Sequence, residues 1–338
     1  MAYGLGSMTN DLLTSALVIG SSSFTGAHFV DALLEAGCRV TGVSRSPQPE
    51  TLFLPYQRHG EDRFAFHRID MVTEADALRR LVDELRPAVV VQVAALSEVA
   101  LSHERPVEYL QTNTVGVARL CDHLRRCDWL ERYVHVSSAE IYGTCPTAIR
   151  EDAPLRPSTP YAVSKAAADM YIETLIEHFD FPAMLVRSTN VYGAHQQLFK
   201  IIPRTLIYLK LGRTLELHGG GMSMKSFVHV RDVVSGALTA LRKGGRGTFH
   251  FSVESDDTVR DVVALVCRKA GFDFESSTRM VGERLGQDHR YWLDCTRSRE
   301  ELGWSPSIAF EEGVDEVIDW VERHWSRIRE LPHEYVHR

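Results

Sequence analysis

Tyr161 and Lys165 stand four residues apart in the run Tyr161-Ala162-Val163-Ser164-Lys165, and residues at i and i+4 stack on one face of a helix. An ammonium beside a phenol favours the phenolate. The pair therefore predicts a tyrosine whose pKa is brought down from about 10 toward the working pH, as a general base requires. Twenty-three residues before Tyr161, a strand-like run closes on Ser137-Ser138 and continues Ala139-Glu140-Ile141-Tyr142-Gly143.

A second constellation lies near the start. Ala16 to Gly20 is a short apolar run, followed by the turn Gly20-Ser21-Ser22-Ser23-Phe24-Thr25-Gly26 and then by Phe29, Val30, Leu33 and Leu34 at helical spacing. Strand, glycine-rich turn and helix together aim free backbone N–H groups and the positive end of a helix at a diphosphate; an ordinary small-residue turn is the plain alternative. Ser23 replaces the middle glycine, and its hydroxyl is free to donate to phosphate on this reading. After the next strand-like run comes Ser44-Arg45-Ser46, with no carboxylate until Glu50. An acidic residue there would accept from a ribose 2′-hydroxyl whereas arginine suits a 2′-phosphate, so the expectation is NADP over NAD. Asp70 is placed either to accept from an adenine amino group or to cap a helix beginning near Thr73.

These residues need a frame. Runs at 16–20, 38–46, 64–70, 88–96, 132–138 and 181–193 read as strands, and helical patterns at 74–86 and 161–179 lie between them. This alternation predicts an α/β fold with a doubly wound parallel sheet. Beyond about 190 the rhythm loosens into Gly219-Gly220-Gly221, a strand-like 226–230 and a terminal helix with Val314, Val317, Ile318 and Val321 on one face. The expected organisation is a dinucleotide-binding domain over 15–190 with a return segment near 226–245, and a smaller lobe mainly over 191–330. The Gly6-Ser7-Met8 triplet reads as a cloning scar, so 1–14 are expected to lie outside the fold as tag or disorder.

Composition narrows the class. The 338 residues are 44% hydrophobic and 25% charged, with a mean hydropathy of −0.16, which excludes disordered and collagen-like classes. A formal net charge of −7 gives no basic field for nucleic acid or an anionic membrane. No apolar run reaches about 18 residues. Six scattered cysteines without a C-x-x-C pair fit a reducing cytoplasm.

Taken together, these motifs resemble the extended short-chain dehydrogenase/reductase family, specifically its sugar-nucleotide 4,6-dehydratases, over about 16–325. The matching residues include Gly20, Gly26, Asp70, Ala94-Ala95, Thr112-Asn113, Ser138-x-Glu140-x-Tyr142-Gly143, Pro160-Tyr161-x-x-x-Lys165 and Asn190-x-Tyr192-Gly193. The second lobe adds Lys225-Ser226-Phe227, Asp232, the Arg284 to Asp288 segment and Glu301-Leu302-Gly303-Trp304. Ser44-Arg45-Ser46 and Ser97-Glu98-Val99 look most like GDP-mannose 4,6-dehydratases, and the Arg284 segment looks more like dTDP-glucose 4,6-dehydratases. The resemblance implies Tyr161, Lys165, Ser138 and Glu140 as catalytic. It implies Gly20, Ser22, Ser23, Phe24, Thr25, Gly26, Ser44, Arg45, Asp70, Met71, Ala94, Tyr161 and Lys165 around a tightly bound, recycled NADP or NAD. Ser97, Glu98, Asn190, Lys200, Lys225 and Arg284 would meet a nucleotide-sugar. A homodimer is also implied, built on helices at about 108–126 and 161–179 with Tyr171, Leu175 and Ile176 in its buried patch.

Within the family this resemblance points to, dehydratases and some decarboxylases carry a carboxylate at the position of Glu140 and plain epimerases and reductases usually lack one; a structural glutamate at a strand end is the plain alternative. Oxidation at C4 of a hexose acidifies the C5 proton, and a carboxylate beside the ring removes it while the C6 hydroxyl leaves. Two departures from the family pattern stand out: Ala139 replaces a polar residue that assists loss of the hydroxyl, and Lys225-Ser226 replaces Arg-Asp. A C4 epimerase, a nucleotide-sugar decarboxylase, and a non-catalytic dinucleotide-sensing protein are the alternative readings. His333-Glu334-x-x-His337 matches a zinc-protease pattern, but with one residue after it no third ligand follows, and no metal is expected.

Overall fold

The computed structural model describes residues 14–60, 62–282 and 289–335; the N-terminal segment expected to be a tag lies outside them except for Thr14. Seven parallel strands form the central sheet. In chain order the first six are β1 (Ser15–Ile19), β2 (Arg39–Ser44), β3 (Phe64–Arg68), β4 (Val89–Gln92), β5 (Arg132–Val136) and β6 (Ala183–Ser188). Three short strands, β7 (Asn190–Tyr192), β8 (Leu215–His218) and β9 (Phe227–His229), belong elsewhere, and β10 (Gly247–Phe251) is the seventh strand of the sheet. The order β10-β6-β5-β4-β1-β2-β3 reverses direction between β1 and β4, which opens a crevice at their carboxyl ends.

The sheet is covered on both faces, so its central strands are apolar without alternation: β4 and β6 are buried at every position. One face packs on the helices Phe24–Glu35 and Val230–Arg242 through Phe29, Leu33, Val234 and Phe251. The other packs on Ala75–Leu85, Val117–Leu124 and Pro160–Phe179 through Leu81, Leu120, Ile172 and Leu175.

The run at 181–193 is two strands rather than one. After Ser188 the chain leaves the sheet, and β7 pairs in parallel with β9. The return segment also extends past 245, because β10 adds itself to β6. Around Trp320 the second lobe has its own core, shared by the helices Ile201–Lys210, Val259–Ala270 and Phe310–Arg323. In the last of these Val314, Val317 and Val321 are buried, as their spacing predicts. A pair of parallel strands, β8 with β11 (Thr278–Val281), edges this lobe. Among the described residues, no helix is long and apolar enough to cross a membrane, and all six cysteines are free.

Candidate active site

The glycine-rich turn between β1 and its helix is closed by geometry that side chains cannot enter. Gly20 has φ +91°, and a Cβ there would lie 2.5 Å from the Ala94 amide nitrogen; a Cβ on Gly26 would lie 2.0 Å from the Gly20 carbonyl oxygen. Ser23 caps the helix. Its hydroxyl donates to the Gly20 carbonyl at 2.7 Å and accepts from the Gly26 N–H at 3.2 Å. The expectation that this hydroxyl donates to phosphate is corrected accordingly: the turn itself uses it. The Ser22 hydroxyl is buried with no hydrogen-bond partner, while the Ser22 N–H donates to Ser44 Oγ at 3.0 Å.

A cavity of about 240 Å³ opens over this turn, lined by Gly20, Ser22, Ser23, Ser44, Arg45, Asp70, Met71 and Ala94, and by Ile19, Ser46, Ile69, Ala95, Leu96 and Thr112. Five of the residues expected around the dinucleotide do not line it: Tyr161 and Lys165, on the helix beside it, and Phe24, Thr25 and Gly26. Phe24 is buried against His28, with ring centroids 5.1 Å apart, and Thr25 and Gly26 belong to the helix behind. Asp70 Oδ1 accepts the N–H groups of Val72 at 2.7 Å and Thr73 at 3.2 Å. It therefore closes a turn ahead of the helix Ala75–Leu85 while still lining the cavity. An unpartnered hydroxyl, a cradle with no room for a Cβ, and an arginine at its rim fit the diphosphate and adenosine half of a nicotinamide dinucleotide.

Leu96 joins this cavity to the Tyr161-Lys165 pair by packing with Tyr109 and Tyr161. Asn113, buried in a π-helical stretch at Gln111–Gly116, pins the same region. Its amide exchanges hydrogen bonds with Leu96 and reaches Ser164 Oγ at 2.9 Å. The helix Pro160–Phe179 starts on Pro160 at its first position, capped by Thr159. Its face presents Tyr161, Lys165 and Asp169 inward, all buried.

Burial, and then the nearby charge of Glu140, hold the Tyr161 phenol above its usual value, and a hydrogen bond with Ser138 pulls the other way. The sequence predicts acidification by Lys165; the structure corrects this for the protein alone. The Lys165 ammonium donates to the Val136 carbonyl at 2.7 Å and lies 3.1 Å from His135 Nε2. Burial brings its pKa down to about 8, against the opposing pull of Asp169. Behind it runs a buried network. Asp169 accepts from Arg187 Nε and Ser137 Oγ, each at 2.8 Å, and lies 3.6 Å from His135 Nε2. Arg187 also donates to Tyr142 Oη at 2.6 Å. His135, Asp169 and Arg187 escape motif reading, although Asp169 sits one helical turn beyond Lys165, the signal that points to it.

Glu140 is half-buried on the single turn Ala139–Tyr142, whose cap is Ser138. Ala139 is enclosed with Ile141, Tyr142, Ala166 and Tyr291, so this position offers no polar group. On the far side, Lys200 Nζ lies 3.9 Å from Glu98 Oε2, which brings two expected substrate residues together. Ser97 is exposed beside them. Asn190 Nδ2 donates to the Ser226 carbonyl at 3.4 Å, and the Lys225 ammonium sits 4.0 Å over the Tyr291 ring. Arg284 lies outside the described residues. Among the described residues, Asp83, His123 and Cys127 bring three metal-capable atoms within 4.8 Å of one another, where His123 and an exposed Asp83 form a surface pair at 2.7 Å.

A doubly wound parallel sheet with a dinucleotide cradle at its switch point and a Tyr-x-x-x-Lys helix beside it defines an extended short-chain dehydrogenase/reductase. Comparison with known proteins is more specific. The sequence model of the GDP-mannose 4,6 dehydratase family matches residues 17–317, and the chain belongs to that family. It is 30% identical over 324 residues to a dTDP-glucose 4,6-dehydratase of Xanthomonas campestris, covering 90% of this chain and 92% of that one. It is likewise 30% identical over 325 residues to the Streptomyces griseus enzyme of the same name, covering 93% and 96%. The crystal structure of DesIV, a dTDP-glucose 4,6-dehydratase from Streptomyces venezuelae with NAD bound, superposes with a TM-score of 0.86 at 28% identity, over 93% of this chain and 98% of that one.

Proposed function

We propose that this chain is a nucleotide-sugar 4,6-dehydratase that converts an NDP-hexose to the NDP-4-keto-6-deoxyhexose. The observation that carries the reading is the placement of Glu140: its charge acts on the Tyr161 phenol, and the Ser138 hydroxyl serves both, accepting the Glu140 N–H at 3.2 Å and hydrogen-bonding Tyr161. On this reading two bases serve one sugar ring. Tyr161, with Ser138, takes the C4 hydroxyl proton; Glu140 then takes the C5 proton made acidic by the new ketone. Because Ala139 offers no donor, Glu140 passes that proton to the departing C6 hydroxyl. A nicotinamide dinucleotide held in the cradle would supply the hydride acceptor for C4 and the donor for C6, and C5 takes its replacement proton from solvent.

Gly20, Ser22, Ser44, Arg45 and Asp70 would hold the dinucleotide, with Arg45 giving preference to the 2′-phosphorylated form. Glu98, Asn190, Lys200 and Lys225 would meet the sugar nucleotide, with Ser97 and Arg284 beside them. The division into a cofactor domain and a sugar-nucleotide lobe follows the two cores. A homodimer is supported by exposed apolar side chains on two neighbouring helical segments: Val163, Met170 and Phe179, with Val107, Leu110 and Val115. The patch differs from the one expected, since Leu175 is buried in its own domain's core and Tyr171 and Ile176 pack against that core. Six free cysteines support a reducing, cytoplasmic setting.

Incubation with dTDP-, UDP- and GDP-hexoses, followed by mass spectrometry of the product, tests the reading: loss of water supports it. Loss of carbon dioxide, an unchanged mass with epimerised product, or no conversion of any substrate refutes it in favour of a decarboxylase, an epimerase or a sensor.

A further inference from the structure

Residues 333–335, after the last helices, each contact the rest of the second lobe. His333 is buried, with Nε2 2.8 Å from the Ile328 carbonyl. Glu334 accepts from Tyr208 Oη at 2.8 Å and lies 3.9 Å from Arg204. Tyr335 then meets Phe199 edge to face, with ring centroids 5.2 Å apart. Phe199 in turn carries the Lys200 ammonium, 5.1 Å from its centroid, and Lys200 reaches across to Glu98 at 3.9 Å. The Glu98 carbonyl accepts from Tyr109 Oη at 2.5 Å, and the Tyr109 ring lies edge-on to Tyr161 at 6.4 Å. A continuous series of contacts thus runs from the tail to the catalytic tyrosine.

We propose that Tyr335 is a positioning residue for the sugar nucleotide: it fixes Phe199, and through it holds the Lys200 ammonium on the Glu98 side of the cleft, where a substrate diphosphate would take it. The inference rests on Lys200 as a diphosphate ligand and not on the dehydration chemistry. A lysine side chain has several rotatable bonds and gives up substantial entropy when held in one geometry. A ring held in place beneath its charge pays part of that loss before the ligand arrives. The surroundings of Tyr335 agree: burial first, and then the charge of Glu98, raise its phenol, while Arg45 and Arg105 oppose them, so charged groups of the first lobe surround a residue anchored on the second. The His333-Glu334-Tyr335 run thereby has a role unrelated to zinc.

The test is a double-mutant cycle in the full chain with Tyr335→Ala and Lys200→Ala, reading by calorimetry the affinity for whichever of dTDP, UDP and GDP binds best. Tyr335→Ala is expected to weaken binding roughly two- to fivefold, the range of a cation–π contact at a partly exposed site. It should also raise KM for the sugar nucleotide by a like factor, leave kcat within about twofold, and have no further effect once Lys200 is Ala. Glu334→Ala, which unhooks the tail from Tyr208, should act in the same direction. An unchanged affinity, a Tyr335→Ala effect that persists in the Lys200→Ala background, or failure of all three nucleotides to bind would overturn the proposal. Because the affinity is measured without turnover, a chain that binds and couples as described but does not dehydrate sugars sinks only the proposed function.

Discussion

Replacing Glu140 by Gln separates the two bases of the proposed site, because it keeps the shape of the side chain and removes both its basicity and its charge. The charge matters to a second residue: after burial, Glu140 is the largest cause holding the Tyr161 phenol up. At an effective dielectric near 20, two unit negative charges separated by about 6 Å repel by roughly 2 to 3 kcal/mol, or about two pKa units. Glu140 is half-buried, and solvent screening brings the expected effect to about one unit. The sign follows directly. Tyr161 must be a phenolate to accept a proton, so a lower pKa moves the rising limb of sugar oxidation to lower pH by about one unit. Elimination, in contrast, loses its base and should fall by roughly two to four orders of magnitude. Stopped-flow absorbance of the reduced nicotinamide at a series of pH values, with product analysis in deuterated water, reads both steps. The variant should accumulate reduced cofactor and keto sugar, whereas the wild type should place solvent deuterium at C5. A variant that dehydrates at the wild-type rate, or whose oxidation limb moves to higher pH, would refute the assignment of Glu140.

Tyr161→Phe should retain the dinucleotide on purification and lose turnover by roughly two to four orders of magnitude; normal turnover would remove Tyr161 from the mechanism. The nucleotide released on denaturation should be predominantly NADP, and Arg45→Ala should shift it toward NAD; chromatography that finds only NAD in the wild type ends the case for Arg45. Light scattering should give twice the 38.1 kDa chain mass, and Met170→Glu, which charges an exposed apolar face, should return the monomer; a wild type that is monomeric at micromolar concentration counts against the dimer. Asp169→Asn removes one of the two carboxylates paired with buried Arg187, Glu173 remaining as the other, which should cost about 1–3 kcal/mol by denaturant titration, and lets the Lys165 pKa fall further below about 8. The alkaline limb of activity, where the Lys165 ammonium is lost, should therefore move to lower pH.

The parts of this molecule that follow from local pattern are the parts the sequence makes legible. Six of the seven sheet strands are apolar runs long enough to stand out, and the helices Phe24–Glu35 and Pro160–Phe179 carry both periodicity and end signals. What stays hidden depends on partners distant in the chain. Residues 181–193 form one continuous extended run, and only the pairing of Asn190–Tyr192 with Phe227–His229 tells where the chain leaves the sheet. The seventh strand, Gly247–Phe251, is recognisable through its neighbour β6 rather than through its own composition. Likewise Leu175 shares a helix with Met170 and Phe179, yet it is buried while they are exposed, a distinction set by the rotation of that helix on the sheet.

The catalytic pair shows the same limit in its chemistry. Spacing places Tyr161 and Lys165 on one face, but spacing does not say what each faces. Lys165 spends its ammonium on the Val136 carbonyl and on His135, and Tyr161 meets Ser138 and the field of Glu140. In the protein alone burial and Glu140 therefore favour the neutral phenol, and a cation bound beside it would favour the phenolate. The oxidised nicotinamide is cationic, and its positive charge beside the phenol would act opposite to Glu140. An arrangement that pairs a buried phenol with a half-buried carboxylate suits an enzyme whose cofactor stays bound through the cycle.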